Sequence, residues 1–361
     1  MRFFRKHLRR LLLFFLRRHP NLAFDALRQQ HSRIPRGGGI PPFNLVFLSG
    51  HHRHTHEMAI RCHEAGIQLF LPPEETQDLL RHYVTKGLIQ WLGLEAFGVH
   101  YHEGYGDLKR AVEDGQVNAF MVSEPEHLEL VKQHFGPIPV AADHMVNRYD
   151  DYRARGLRNF LSPSRRALPL MNVPNQLLSI KVRDFAWLNR TTSRHRIPVC
   201  GRRGFYSYIH NYERRSSRAF GLFTEIVERL RGEVEVRNFG RGSPHGEVVD
   251  LPTMLRSRAT LHIKDAHVCC NAVIDSISVG IPVLVDDETL DRLGLEDYVV
   301  HMVSGIRFRD ADEGEEWIRI LDRDDDLLAE LSRRTQEFAR LKCRNTSKDV
   351  ECFRQFVQRM R

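Results

Sequence analysis

The six cysteines of this 361-residue sequence (Cys62, Cys200, Cys269, Cys270, Cys343, Cys352) include no C-x-x-C pair. Neither a zinc ribbon nor a disulfide framework is expected, and the thiols read as reduced and cytosolic. Long apolar runs are also missing from the opening segment, RFFRKHLRRLLLFFLRRHP. Its longest, Leu11 to Leu16, has six residues, against the ~20 needed to span a bilayer. Arginines follow that stretch and no small-residue cleavage site appears, so it reads as a poor secretory signal. A chain-wide excess of charge is missing too. The net +8 is concentrated in residues 1–40, where ten Lys/Arg face only Asp25; the other 321 residues hold 44 basic and 45 acidic side chains. The nearly neutral body does not read as a nucleic-acid binder.

What is present begins with that basic tail. On a helical wheel Arg2, Arg5, Lys6, Arg9, Arg10 and Arg17 gather on one arc, with Phe3, Phe4, Leu8, Leu11, Leu12, Phe14 and Phe15 opposite. Such a helix over residues 2–18 suits an anionic membrane surface, with cationic side chains snorkelling outward. A cap helix packed on its own protein has the same pattern, and the sequence leaves the two open. PRGGGIPP (35–42) then has linker composition.

Beyond the linker, apolar strands alternate with helices. NLVFLS, IQLFLPP, VNAFMVS, PIPVAAD and NFLSPS read as strands, with HEMAIRCHEAG and EPEHLELVKQHFG as helices. The pattern restarts near 180–195: RIPVCG, EVEVRNFG, ATLHIK and IPVLVD as strands; SRAFGLFTEIVERLRG, LPTMLRSR and NAVIDSISVG as helices; and WIRILDRDDDLLAELSRRTQEFARL closing as helix. Alternation of this kind predicts α/β structure with parallel sheets covered on both faces. The expected organisation is a tail and linker at 1–40, an N-terminal Rossmann-like domain at 41–185, a C-terminal one at 186–340, and a final helix at 341–361 that packs back on the N-terminal domain.

In order and spacing these segments resemble the GT-B glycosyltransferases, the two-Rossmann fold of the large retaining family typified by sucrose and glycogen synthases and bacterial lipopolysaccharide transferases. LPTMLRSRATLHIKDAHVCCNAVIDSISVGIPVLVDD resembles the family's run from a short helix through a strand into the donor loop. Asp275 falls where the second glutamate of the Glu-seven-residues-Glu motif stands, and His267 replaces the first. VNAFMVSEPEHLELVKQHFGPIPVAADHMVN resembles the family's strand, helix, strand and following histidine, here His144. IPVCGRR resembles its Gly-Arg turn.

The resemblance implies a cleft between the two domains that takes a nucleotide-sugar donor, with no separate cofactor and no obligatory metal. His144, His267 and Asp275 take the catalytic positions, His144 near the reacting carbon and Asp275 on the ribose hydroxyls. Gly50, Gly201, Arg202, Arg203, Arg214, Arg218, Glu247, Val248, Cys270 and Asn271 take the donor-binding ones. The arginines and the helix start at Asn271 are suited to a diphosphate, and Glu247 and Val248 line the nucleobase pocket. Catalysis in such a site is mostly positioning and charge stabilisation. The implied activity is hexosyl transfer to a glycan or lipid-linked acceptor, in the cytoplasm at the inner face of a membrane. Two alternatives accompany it: a metal-dependent hydrolase using HHRHTHE (His51, His52, His54, His56, Glu57), and an inactive glycan-binding paralogue, since a fold does not fix an activity.

Overall fold

The computed structural model describes residues 43–49, 52–82, 85, 87, 90, 92–143, 148–162, 165, 167–179, 181–215, 217–246, 251–265 and 270–360. The basic tail and the linker lie outside the described residues. Those described form two compact units, 43–187 with 344–360, and 188–265 with 270–343.

In the N-terminal unit the chain runs β1 (Asn44–Leu48), α1 (His52–Ala65), β2 (Gln68–Leu71), β3 (Val99–Tyr101), α2 (Tyr105–Glu113), β4 (Ala119–Val122), α3 (Pro125–Phe135), β5 (Val140–Asp143), β6 (Asn159–Ser162) and β7 (Asn175–Leu178). Its seven strands are parallel, in the order β3-β2-β1-β4-β5-β6-β7. The central strands are continuous apolar runs because helices cover both faces of the sheet: all four residues of β4, Ala-Phe-Met-Val, are buried. Proline at the first position of α3 has no amide to waste there, and Gly136 ends the helix at φ 74°. The last helix of the chain, Ser347–Gln358, also belongs to this unit. It opens with a Thr346–Asp349 capping box. Arg354 Nε donates to Ala65 O (3.0 Å) and Asn175 Nδ2 to Phe356 O (3.0 Å), which fastens it to α1 and β7.

The C-terminal unit contains β8 (Phe205–Ser207), α4 (Tyr212–Arg215), α5 (Ser217–Arg229), β9 (Val236–Asn238), β10 (Ala259–Leu261), α6 (Asn271–Ser278), β11 (Val283–Asp286), α7 (Asp287–Leu293), β12 (Gly305–Phe308), α8 (Ala311–Arg323) and α9 (Asp325–Lys342). Its five parallel strands run β12-β11-β10-β8-β9. Phe205, Phe223, Ile226, Leu261, Leu284, Phe308, Ile318 and Leu331 form the centre of its core.

Two expectations are corrected. RIPVCG is not a strand: Val199–Gly201 is a 3-10 turn, and the first strand of this sheet is Phe205–Ser207. Pro198 lacks the amide a ladder needs, and a side chain at Gly201 would stand 2.8 Å from the Ile197 side chain. The closing helix is two helices, α8 and α9, divided at Asp324, whose Oδ1 accepts from Leu327 N (3.0 Å) and caps the second.

His56 and His127 are two of the buried histidines of the N-terminal unit. His56 meets Trp187 edge-on at 5.4 Å and Phe97 at 6.0 Å; His127 lies on α3 with Nε2 3.1 Å from Arg81 O. Burial is the main cause holding both down to about 4. The unfolded chain, with ordinary histidines near 6.5, binds more protons between those values. Stability is therefore full above pH 6.5 and is lost as pH falls toward 4, by up to about 1.4 kcal/mol per pH unit for each histidine. Urea unfolding at pH 7, 5.5 and 4.5 should show this decline, and His56→Leu or His127→Leu should flatten it. A wild-type slope unchanged in both variants would refute the assignment.

Candidate functional sites at the strand ends

Ligands of open parallel sheets bind beyond the carboxyl ends of the strands, where the strand order reverses. In the C-terminal unit that point lies between β8 and β10, and the chain leaves these strands as Tyr208-Ile209-His210-Asn211 and His262-Ile263-Lys264-Asp265. The first exit is tied to that of β9. Asn238 Oδ1 accepts from Ile209 N and its Nδ2 donates to Ile209 O, both at 2.9 Å, and Asn211 N donates to Arg241 O at 2.6 Å. The second exit is tied to α7: Lys264 N donates to Thr289 Oγ1 (2.8 Å), whose hydroxyl is 3.2 Å from Lys264 O.

Arg218, in the first turn of α5, belongs to this end of the sheet. Its guanidinium reaches Asp265 (2.7 Å), Asp286 (2.9 Å) and Glu288 (3.3 Å), and Nη2 donates to Thr289 Oγ1 (3.3 Å). Three carboxylates occupy the fork that the sequence assigned to a phosphate. Lys264 is the cation less committed here: among the described residues its ammonium makes no ion pair with a carboxylate. It stands between the end of β10 and the start of α6, where unpaired first-turn amides carry the positive end of the helix dipole. Cys270 is the N-cap of α6 at φ −85°, ψ 130°, and Asn271 is its first residue, half-buried. Asp275 lies one turn on, 5% exposed, in a helix whose residues 272–278 are all buried.

Gly201, Arg202 and Arg203 do not stand at the strand end expected for them. They precede β8, so they sit at the amino edge of the sheet, away from the ligand end. Arg202 is buried and its Nη1 donates to Ser332 Oγ (2.9 Å); burial first, then Arg258, lower its pKa to about 10. Arg203 is exposed and its backbone amide donates to Arg256 O (2.8 Å). A strand read too early in the chain had put all three at a carboxyl, ligand-facing end. Arg214 is exposed on the short helix Tyr212–Arg215. Gly50, His144, Glu247, Val248 and His267 lie outside the described residues.

In the N-terminal unit the reversal falls between β1 and β4. Ser49 and Ser123, just beyond these strands, are buried, and among the described residues Ser123 Oγ has no partner. His54, on the first turns of α1, reaches Asp143 at the end of β5, with Nδ1 3.2 Å from Oδ2. Glu57, one turn further, takes Lys181 Nζ (3.0 Å) and Arg183, which arrive from the end of β7. The hydrolase alternative requires alternate side chains of HHRHTHE to share a face. Residues 52–65 are helical instead, so His54 turns to Asp143 and His56 to Trp187 and Phe97. Among the described residues, no three His, Cys, Asp or Glu side chains gather as metal ligands.

Asp143, Lys181, Arg183, His262, Lys264 and Asp286 went unread. One signal marks three of them: Asp143 and Asp286 end, and His262 directly follows, a buried parallel strand.

With this geometry the chain has the fold of the GT-B glycosyltransferases, two Rossmann-like α/β units in one chain. Sucrose-phosphate synthase from Thermosynechococcus elongatus superposes with a TM-score of 0.56 at 11% identity, covering 88% of this chain and 98% of that one. Anabaena HepE, solved in complex with UDP-glucose, gives 0.54 at 11% identity over 88% and 98%. TarM gives 0.55 at 12% identity over 70% of this chain and 57% of its own. No protein-family model matches the sequence, and no curated protein does. No helix among the described residues is long and apolar enough to cross a membrane.

Proposed function

We propose that this chain is a glycosyltransferase that moves a sugar from a nucleoside-diphosphate donor to a glycan or lipid-linked acceptor, with retention and without an obligatory metal. The observation that carries the reading is the pairing of Lys264 with the amino end of α6 at the strand-order reversal of the C-terminal sheet. A diphosphate set there meets one mobile cation and a helix dipole. Both gain most when the sugar–phosphate bond breaks and charge collects on the leaving group. Asp275 accepts from the ribose hydroxyls, and His144 and His267 keep the roles the family resemblance gives them. The likeness to HepE, whose structure contains UDP-glucose, makes uridine the first base to try. The membrane part of the reading rests on the basic arc of residues 2–18 alone.

The test is thermal stabilisation of the purified protein by UDP, GDP, ADP, CMP and dTDP and their common sugar forms. A ligand at a hundred times its Kd stabilises the native state by about 2.7 kcal/mol. One nucleotide family should raise the melting temperature. Lys264→Ala should weaken its binding about 10–100-fold, the worth of one charged hydrogen bond, and Asp275→Asn should weaken it as well. A flat response to every nucleotide would overturn the reading.

A further inference from the structure

Residues 185–212 contain no aspartate or glutamate but five arginines, Arg190, Arg194, Arg196, Arg202 and Arg203. From Arg190 to Arg203 the chain forms the end of the helix Phe185–Thr192, a 3-10 turn at Ser193–His195, an extended step and the 3-10 turn Val199–Gly201. Arg202 is the buried anchor of this segment, bonded to Ser332 of α9. The other four are exposed, and exposed Arg256 joins them because Arg203 N donates to its carbonyl (2.8 Å). Arg196 Nη2 donates to Asn189 Oδ1 (2.8 Å), which folds the segment back toward Arg190. Elsewhere in this unit Arg229, Arg231, Arg307, Arg309 and Arg333, exposed as well, each reach a carboxylate. Among the described residues none of Arg190, Arg194, Arg196, Arg203 and Arg256 makes an ion pair; Arg214 and Arg340 also lack one but stand outside the segment. Like charges crowded together without counter-charges repel one another, so an acid-free strip on a body of balanced charge is suited to an anionic partner.

We propose that this strip is a membrane-binding surface of the C-terminal unit, taking the phosphate headgroups of an anionic bilayer on the guanidiniums of Arg190, Arg194, Arg196, Arg203 and Arg256. Guanidinium forks meet phosphate oxygens in pairs, and each basic side chain held at an anionic surface raises affinity about fivefold. Pro198 and Cys200, exposed between Arg196 and Arg203, add a small apolar tip at headgroup depth. Nucleic acid fits the strip less well. A single strand is held by stacking on aromatic faces, and every Phe, Trp and Tyr of residues 185–212 is buried. The contact is separate from the basic arc of residues 2–18, and it stands whether or not the chain transfers a sugar.

The test is sedimentation of the full chain with vesicles of phosphatidylglycerol and phosphatidylcholine, one part to three, in about 0.1 M salt. The chain should pellet with these vesicles and stay behind with phosphatidylcholine alone. Changing Arg190, Arg194 and Arg196 together to glutamine should weaken binding about 10–100-fold. Arg203→Gln with Arg256→Gln should weaken it in the same direction, and decides the matter should the triple variant fail to fold. Changing Arg231, Arg307 and Arg333 to glutamine removes as much charge from paired positions and should cost less than about threefold, since a salt-bridged arginine has little left to offer a headgroup. Equal losses in the two triple variants would reduce the effect to net charge and overturn the proposal. In a full chain with Arg2, Arg5, Arg9 and Arg10 changed to glutamine, the strip changes should still lower what binding remains. Binding that vanishes with the tail changes and ignores those of the strip overturns the proposal, and so does a chain that binds poly(U) but no vesicle. None of these outcomes depends on the response to nucleotides, so this surface and the proposed transferase activity fail separately.

Discussion

Glu57→Gln should cost the N-terminal unit about 3–5 kcal/mol, enough to leave it marginal at room temperature. Glu57 is 5% exposed and holds two cations that are buried more deeply, Lys181 at 2% and Arg183 at 3%. Glutamine keeps the shape and removes the carboxylate that these two ion pairs share, so both buried cations lose a charged partner. Burial by itself would raise the Glu57 pKa; Lys181 and Arg183, then His54 and Arg61, reverse this and hold the carboxyl well below the usual carboxylate range. The folded value is depressed, so this contribution is complete above about pH 4.5 and drains away as pH falls below it. Urea unfolding of the variant at pH 7 should show the loss, and Glu57→Gln with Lys181→Met should be less damaged than the sum of the single changes, because the second removes one orphaned charge. A single-variant loss under 1 kcal/mol would mean that water reaches the cluster.

The strands that composition made visible are mostly central ones, with the edge strand β9 among them and the short central strand β8 missed. β1, β4, β5, β10 and β11 are buried on both faces, and their apolar runs carry no competing period. β3, β7 and β12 escaped because each is the edge of its sheet. Val-His-Tyr, Asn-Gln-Leu-Leu and Gly-Ile-Arg-Phe need bury only part of their side chains, so polar residues interrupt the signal. RIPVCG misled for the opposite reason, an apolar run that folds as a turn. The resulting shift of register carried Arg202 and Arg203 to the wrong end of a strand.

Placement was legible where candidate residues belong to a helix start, at Cys270, Asn271 and Asp275. It was illegible where a side chain's role depends on what comes to meet it. Arg218 reads as a phosphate ligand in sequence, but Asp265, Asp286 and Glu288, 47 to 70 residues away, already hold it. His54 and Asp143 are 89 positions apart and meet because both stand at the carboxyl edge of the sheet, His54 after β1 and Asp143 at the end of β5, with β4 alone between the two strands.

Gly240→Ala should be the most damaging small substitution in the C-terminal unit, with an expected loss of at least about 3 kcal/mol. A Cβ there would lie 1.9 Å from the Ile209 carbonyl oxygen, 2.4 Å from its carbon and 2.9 Å from His210 N. All three are backbone atoms, so no rotamer change relieves the clash. The exit of β8 would have to move as a whole, against the two Asn238 bonds to Ile209 and the bond from Asn211 N to Arg241 O that fix it to the exit of β9. The same loop flanks the strand-order reversal, so the variant should also lose stabilisation by whichever nucleotide protects the wild type, even at temperatures where it remains folded. Gly221→Ala is the matched control. It sits exposed within α5 with no atom in reach of a new Cβ, and should gain up to about 1 kcal/mol from helix propensity. Opposite signs in urea unfolding would show that close approach, and not the loss of glycine as such, sets the cost at Gly240. A Gly240→Ala protein within 1 kcal/mol of wild type would mean that the β8 and β9 exits are not locked together, and nucleotide binding should then survive the change.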